Sequence, residues 1–205
     1  MSEIKTLPLP DLLISKAAEN PYRDCIVLED ERVTYGELEI RARRVAASLI
    51  AHGIKPGDRI GILMANCVDF VALMFGVSLI GAIGVLYNSR FKAREIAHVT
   101  VDSSVKMIIT NDAAGQHTDY IELLRQAIPE LAKDDVDQYK SDYKEFIKFT
   151  SAPALRDVVS LGSSFAKGFL DREAFYKRGE SITSGLVEEL HSKVTINDQA
   201  LMIYT

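Results

Sequence analysis

The chain has 205 residues, of which 47% are hydrophobic and 26% charged, the balance of an ordinary globular domain. Its 24 Lys and Arg residues stand against 29 Asp and Glu, a net charge of −5 with no basic stripe. This charge pattern argues against nucleic acid and anionic membrane surfaces as main partners. Cys25 and Cys67 are far apart in sequence, so they predict neither a disulfide framework nor a metal site. The four histidines are scattered, and we interpret them as surface or helix-end residues.

The first ten residues contain no apolar signal core, so we expect a cytoplasmic protein. A helix is predicted over residues 11–20, followed by two short strands around the charged turn at 29–31. Thr34 and Glu37 then have the spacing of a capping box, which begins a helix with one apolar stripe. Gly53 and Pro56 end that helix.

Residues 59–64, with the sequence RIGILM, are almost wholly apolar. A strand that is apolar on both faces belongs to a parallel sheet covered by helices on both sides. Helices and strands then alternate, and this alternation predicts three consecutive strand–helix–strand units with right-handed crossovers. The predicted elements are a helix at 68–80, a strand at 83–87, a helix at 92–102, a strand at 105–110 and a helix at 119–128.

One stretch allows a second interpretation, because residues 70–87 form an uncharged run of the length of a membrane span. A buried helix followed by a buried strand explains the same run. Asp69 flanks it, Asn66 suits a helix cap, and Gly81 and Gly84 interrupt it where a helix would give way to a strand. These features favour the helix and strand.

Residues 131–154 are polar and of mixed charge, so we interpret them as a surface excursion and not as a new domain. The elements predicted after it are a strand at 155–161, helices at 171–180 and 184–194, and a last strand within residues 198–205. The composition of this last strand predicts that it is buried. The sequence therefore predicts a single α/β subdomain over residues 1–205, doubly wound, with a mainly parallel sheet and helices on both faces.

Motifs for catalysis are few. Residues 162–168, GSSFAKG, follow a strand, but their order Lys-Gly is not the Gly-Lys order of a P-loop. Residues 81–84, GAIG, lack the third glycine of a dinucleotide-binding motif and precede a strand instead of following one. No serine or cysteine has the context of an activated nucleophile, so we name no catalytic residue and no metal ligand. Arg90 is the exception, because it follows a buried strand at the ligand-binding edge of a parallel sheet; on position alone, a surface arginine explains it as well.

The order of these parts resembles a known family. Residues 32–96 contain Thr-Tyr-Gly-Glu-Leu, then Gly-Ile-x-x-Gly-Asp-Arg, then Phe-Gly ahead of Gly-Ala, then Asn-x-Arg. Together they resemble the opening of AMP-forming acyl-CoA synthetases, members of the adenylate-forming enzymes that include luciferases and peptide-synthetase adenylation domains. The likeness covers nearly the whole chain apart from residues 131–154.

The resemblance implies how the chain relates to a complete enzyme. In the family, a strand like the last one here leads into a Ser/Thr/Gly-rich loop that holds the phosphates of ATP, and Thr205 matches the first residue of that loop. The rest of the loop, the Mg²⁺-binding Glu and the C-terminal lysine lie beyond it. We therefore expect an N-terminal piece of a longer ligase that uses ATP, Mg²⁺ and CoA, inactive by itself.

In CoA-ligating members, the Asn-x-Arg turn lies near the phosphates of CoA. The resemblance therefore implies CoA contacts for Asn88, Ser89 and Arg90, although the family often has Pro at the position of Ser89. The identity of the carboxylic acid is left open. The aromatic residues Phe70, Phe75 and Tyr87 are interpreted as core and not as part of an acyl pocket.

Two alternatives stay open at this point. One is a ligase that passes the acyl group to a carrier protein instead of CoA. The other is a non-catalytic α/β binding or assembly module. If the last strand lies at a sheet edge, its unpaired backbone also predicts a homodimer through that edge.

Overall fold

The computed structural model describes residues 6–29, 31–111, 119–132, 148–163 and 166–204. Two strands form an antiparallel hairpin, and six parallel strands form the main sheet. The hairpin strands are β1 (Asp24–Val27) and β2 (Arg32–Thr34). The sheet strands are β3 (Arg59–Leu63), β4 (Ile83–Leu86), β5 (Met107–Thr110), β6 (Asp157–Ser160), β7 (Leu170–Asp171) and β8 (Leu201–Ile203), in the spatial order β7-β6-β5-β3-β4-β8.

Helices cover both faces of this sheet, as the apolar strands predicted. They are α1 (Leu9–Glu19), α2 (Tyr35–Ala51), α3 (Val68–Leu79), α4 (Ala93–Asp102), α5 (Tyr120–Ala127), α6 (Arg172–Gly179) and α7 (Ser184–His191), with a 3₁₀ turn at Pro129–Ala132. One core lies under α1, α2, α3, α6 and α7, and a second lies under α4 and α5. The doubly wound α/β architecture and the three strand–helix–strand units are confirmed.

The start of α2 follows from its capping box. The Thr34 hydroxyl accepts a hydrogen bond from the Glu37 N–H at 3.3 Å, and the Glu37 carboxylate accepts one from the Thr34 N–H at 2.8 Å. Both backbone donors are free at a helix start and need a side-chain acceptor. The chain leaves the helix through Gly53, whose φ of 75° is a backbone conformation that suits glycine.

The uncharged run at residues 70–87 divides between α3 and β4, which a turn at Gly81 separates. In the part of the chain that the structure describes, no helix is long and apolar enough to cross a membrane. The prediction of Asn66 as the cap of α3 is wrong. The capping position belongs to Cys67, whose side chain makes no capping hydrogen bond.

Three other predictions differ from the structure. α1 begins at Leu9 instead of Asp11, because a proline is tolerated in the first turn of a helix. β7 has only two residues, too short for a periodic signal. The last strand was predicted to be buried, but β8 is half-buried to exposed because it lies at the edge of the sheet.

The predicted surface excursion at residues 131–154 falls mostly outside the described residues. In its described flanks, Leu131, Phe149 and Ala152 are buried in the core under α4 and α5, while Lys148, Thr150, Ser151 and Pro153 are exposed. Both ends of this segment are therefore anchored in the core.

We expect the edge of β8 to pair with a second copy of the chain. Within the described residues β8 pairs only with β4, so a row of its backbone groups is available for pairing. A lysine at an edge strand opposes such pairing, and Ile203 is 66% exposed. Ile203→Lys should therefore weaken self-association roughly tenfold, which corresponds to about 1.4 kcal/mol, in sedimentation velocity.

Ile196→Lys is the matched control, because Ile196 is also exposed, at 57%, but lies outside the strand. It should leave self-association unchanged. A wild-type chain that stays monomeric at high concentration would contradict the prediction.

Candidate functional site

The carboxyl ends of the parallel strands meet at one edge of the sheet, where ligands of open α/β sheets bind. The chain leaves β3 toward α3 on one face and leaves β5 toward α5 on the opposite face. Since β3 and β5 are neighbours, a crevice opens between their carboxyl ends. Two regions of this edge carry the polar side chains of interest: the turn after β4 and the cleft at the crevice.

The turn after β4 holds the predicted CoA contacts. Asn88, Ser89 and Arg90 are all exposed, and the Asn88 side-chain oxygen accepts a hydrogen bond from the Arg90 N–H at 3.0 Å. Ser89 contacts α5, because it hydrogen-bonds to Tyr120 at the start of that helix. This bond partly offsets the rise in the pKa of Tyr120 that burial causes. The turn is thus fixed at Asn88 and Ser89, and Arg90 projects from it toward solvent.

Sequence reasoning missed two cations that accompany Arg90. Lys92 and Arg94 are exposed at the start of α4, and the Lys92 N–H donates to the Glu95 carboxylate at 2.7 Å. The basic residues at 90–94 are visible in the sequence. To see that they lie together beside the end of β4, one must know where α4 begins. Three exposed cations near a helix start make this surface locally positive, which favours anions.

The end of β8 leads to the predicted ATP contact, Thr205, which lies outside the described residues. Its neighbour Tyr204 is held firmly, because the Tyr204 hydroxyl donates to the Asp102 carboxylate at the end of α4 at 2.6 Å. Burial and the adjacent Asp102 carboxylate raise the pKa of Tyr204. The strand end is therefore tied to α4.

The cleft at the crevice has a volume of about 480 Å³. Its walls come from the turn between β1 and β2, from the loops after β3, β5 and β6, and from α2, α3 and α6. They include Glu31, Arg41, Cys67, Val68, Asp69, Asn111, Leu161, Gly162, Ser163 and Arg172. Gly162 and Ser163 begin the stretch 162–168 that the sequence singled out, while residues 164 and 165 lie outside the described part.

Ion pairs neutralise the charged walls of the cleft. The Arg172 guanidinium pairs with Asp69 at the start of α3 and donates from Nε to the Leu161 carbonyl at 2.7 Å. Arg41 pairs with Glu31 at 2.8 Å. Arg172 therefore joins the start of α3 to the loop after β6, across 103 residues of sequence.

Asn111 lies at the floor of the cleft and is 3% exposed. Its Nδ2 donates to the Cys67 sulfur at 3.4 Å, and its Oδ1 makes no hydrogen bond to any residue that the structure describes. Burial raises the pKa of the Cys67 thiol, and the Phe70 N–H and Asn111 offset this only in part. Cys67 thus stays a neutral thiol.

Of the aromatic residues weighed in the sequence, Tyr87 lies within the core, and Phe70 and Phe75 pack against it. Tyr87 is 4% exposed, and its hydroxyl hydrogen-bonds to Thr100 at 2.8 Å. Phe70 and Phe75 are half-buried against the core under α1, α2 and α3.

Comparison with known proteins assigns the family. The family model described as AMP-binding enzyme matches residues 13–205. The chain therefore belongs to the AMP-binding enzyme family, as the resemblance had indicated.

Two curated relatives support this assignment, and one solved structure shares the fold. The chain is 36% identical over 119 residues to 4-coumarate–CoA ligase 1 of Solanum tuberosum (57% of this chain, 22% of the ligase). It is 29% identical over 136 residues to acyl-CoA ligase SID4 of Ajellomyces capsulatus (64% of this chain, 22% of the ligase). A fatty acyl CoA synthetase of Mycobacterium tuberculosis has the same fold, with a TM-score of 0.60 and 22% identity over 98% of this chain and 32% of the synthetase.

The chain therefore spans only about a quarter to a third of the length of these proteins. Its homologues are acid–CoA ligases and related adenylating enzymes.

Proposed function

We propose that the chain is the N-terminal part of an acid–CoA ligase. Such a ligase activates a carboxylic acid with ATP to an acyl-AMP, releasing pyrophosphate, and then transfers the acyl group to the thiol of CoA, releasing AMP. One observation carries the proposal: in a chain of the AMP-binding enzyme family, the turn after β4 holds an exposed arginine beside two further cations.

In this proposal the basic turn binds the phosphates at the nucleotide end of CoA. A guanidinium forms paired hydrogen bonds with phosphate oxygens, and Lys92 and Arg94 add positive charge beside it. Asn88 and Ser89 hold the turn that carries Arg90. The Asn88 side-chain oxygen accepts a hydrogen bond from the Arg90 N–H, and Ser89 hydrogen-bonds to Tyr120. The carboxylic acid would be activated elsewhere, nearer the end of β8.

We also propose that the longer protein supplies the groups that act on ATP. Charge that develops on the transferred adenylyl group and the departing pyrophosphate needs backbone donors, a metal ion and a cation. Thr205 would begin the loop that provides the donors, with Tyr204 held against α4 at its entrance. The chain alone is accordingly expected to adenylate no acid, which a pyrophosphate-release assay with Mg²⁺ and ATP would test.

The basic turn yields a direct prediction. Arg90→Ala should weaken CoA binding by about 10- to 100-fold in isothermal titration calorimetry, since a hydrogen bond to a charged group contributes about 1.5–3 kcal/mol. Removal of the 3′-phosphate from CoA should weaken wild-type binding as well. Both effects should shrink as salt is added.

The matched control is Arg23→Ala, which removes an exposed arginine that precedes β1 and lies outside the basic turn. It should leave CoA binding unchanged. If wild type and Arg90→Ala bound CoA with equal affinity, the turn would not be part of the CoA site. A chain that binds no CoA at millimolar concentration would instead favour an acyl-AMP ligase that uses a carrier protein, or a non-catalytic module.

A further inference from the structure

A second cleft, of about 470 Å³, lies between α2 and α6, and we refer to it as the α2–α6 cleft. Its volume is within the usual range of ligand sites. Its walls are formed by Arg44, Arg172, Glu173, Tyr176, Lys177 and Glu180. Of these residues only Arg172 also lines the cleft between β3 and β5, so the α2–α6 cleft is a separate candidate site.

Arg44 provides a cation that no carboxylate neutralises. It is exposed, it lines the cleft from α2, and it forms no ion pair with any residue that the structure describes. Its guanidinium lies over the ring of Tyr176, with Cζ 4.4 Å from the ring centroid. This stacking holds the guanidinium by its face and leaves the N–H groups at its edge available to an acceptor.

The hydroxyl of Tyr176 is a second available donor. Within the described residues, the buried polar atoms without a hydrogen bond belong to His52 and Asn111 and do not include the Tyr176 oxygen. No described residue forms a hydrogen bond with this oxygen either, so it is accessible from the cleft that Tyr176 lines. Burial raises the pKa of Tyr176 to about 12, so the hydroxyl keeps its proton at neutral pH and can donate it.

The charged groups nearest in effect to this hydroxyl are mainly positive. Four charged side chains have the strongest influence on the pKa of Tyr176, and Asp69 is the only carboxylate among them. The other three are Arg172, Arg44 and Arg41. A negatively charged group beside the hydroxyl therefore meets an excess of positive charge.

Two carboxylates also line the cleft, but a lysine lies between them on α6. Lys177 follows Glu173 by four residues and precedes Glu180 by three, the spacings at which opposite charges pair on a helix. Lys177 therefore offsets one of the two carboxylates, and Arg44 is left available for a ligand.

We propose that the α2–α6 cleft binds a phosphate group, which accepts hydrogen bonds from the guanidinium of Arg44 and from the hydroxyl of Tyr176. A guanidinium binds two oxygens of a phosphate side by side, and a third oxygen is then left for the tyrosine. A carboxylate has only two oxygens and cannot satisfy both residues in this way. Neither the basic turn after β4 nor CoA takes part, so the inference is independent of the proposed function.

The test uses inorganic phosphate as the probe, with chloride added to keep the ionic strength constant. We expect saturable NMR shifts at the amides of α6 and at Nε of Arg44, with a Kd on the order of 1 mM. Acetate should bind about tenfold more weakly, because it lacks the third oxygen. Shifts that grow linearly without saturation, or equal binding of acetate, would overturn the proposal.

Methyl phosphate separates two sources of the phosphate group. If it binds as tightly as inorganic phosphate, the cleft accepts a phosphate ester. If it binds more weakly but still saturably, the cleft takes the free ion.

Two variants test the two donors. Arg44→Gln and Tyr176→Phe should each weaken phosphate binding about tenfold, since each removes a hydrogen bond to a charged ligand. Tyr176→Phe keeps the ring under Arg44 and loses no hydrogen bond within the described part of the chain, so its urea midpoint should match that of wild type.

Arg23→Gln is the matched control for Arg44→Gln, because Arg23 is also exposed but does not line the cleft. It should leave the phosphate shifts of α6 unchanged. Wild-type affinity in both Arg44→Gln and Tyr176→Phe would refute the site, and so would an equal loss of affinity in Arg23→Gln.

Discussion

Gly76→Ala should destabilise the chain by about 3 kcal/mol, toward the upper end of what overpacking a core costs. Gly76 lies in α3, where an added Cβ would lie 2.6 Å from the Cβ of Val45 and 2.7 Å from the carbonyl oxygen of Ala42. One of these contacts is with the backbone of α2, which no side-chain rotation relieves. The two helices must therefore move apart, which urea denaturation measures as a lower midpoint.

Gly185→Ala is the matched control, since Gly185 is also helical but an added Cβ would meet only the Thr183 hydroxyl at 4.0 Å. There alanine should stabilise by up to about 1 kcal/mol through its higher helix propensity. If Gly76→Ala proved as stable as wild type, the close packing of α2 on α3 would be wrong.

The second large effect concerns pH and the buried pair of His52 and Asp157. Their side chains lie 4.0 Å apart, from Nδ1 to Oδ2, at the amino end of β6. Burial raises the pKa of Asp157 to about 6, although Arg178 and Arg156 act in the opposite direction. Burial lowers the pKa of His52 to about 4, and Arg178 adds to this effect.

The two groups affect stability with opposite signs. A raised pKa in the folded state means that Asp157 contributes stability below its unfolded pKa, and that this contribution is lost as pH rises toward 6. The lowered pKa of His52 means that stability is gained as pH rises from about 4 to the unfolded value of 6.5. The wild type should therefore show little change in stability between pH 4 and 6.

Asp157→Asn removes one of the two opposing effects. The variant should match wild type near pH 4 and exceed it by about 3 kcal/mol at pH 7, since each unit of pKa shift corresponds to about 1.36 kcal/mol. Urea denaturation across this range measures the difference. Asp24→Asn, an exposed aspartate on the hairpin, is the control and should change stability by less than about 1 kcal/mol. A variant less stable than wild type at pH 7 would contradict the prediction.

The position of His52 illustrates a limit of sequence reasoning. Sequence reasoning places the four histidines at surfaces or helix ends, and His52 does end α2. It is nevertheless 9% exposed and stacks on Phe175 with ring centroids 5.5 Å apart. No local pattern indicates that α6 would cover the end of α2.

The candidate site was predictable only in part. The turn at Asn88–Arg90 could be found because a short motif follows an apolar strand, and both signals are local. The cleft could not be found, because Cys67 and Asn111 are 44 residues apart and meet only when β3 and β5 are neighbours.

The sequence by itself determined the alternation of helices and strands, the parallel and doubly wound class of the sheet, and the family. The reason is that periodicity, caps and short motifs act within a few residues, and apolar strands reveal that both faces are covered. Only the tertiary structure decided the strand order, the edge position of β8, the Asp69–Arg172 pair and the burial of His52 beside Asp157. These depend on contacts between distant segments, and their free energies come from packing and desolvation that no single segment encodes.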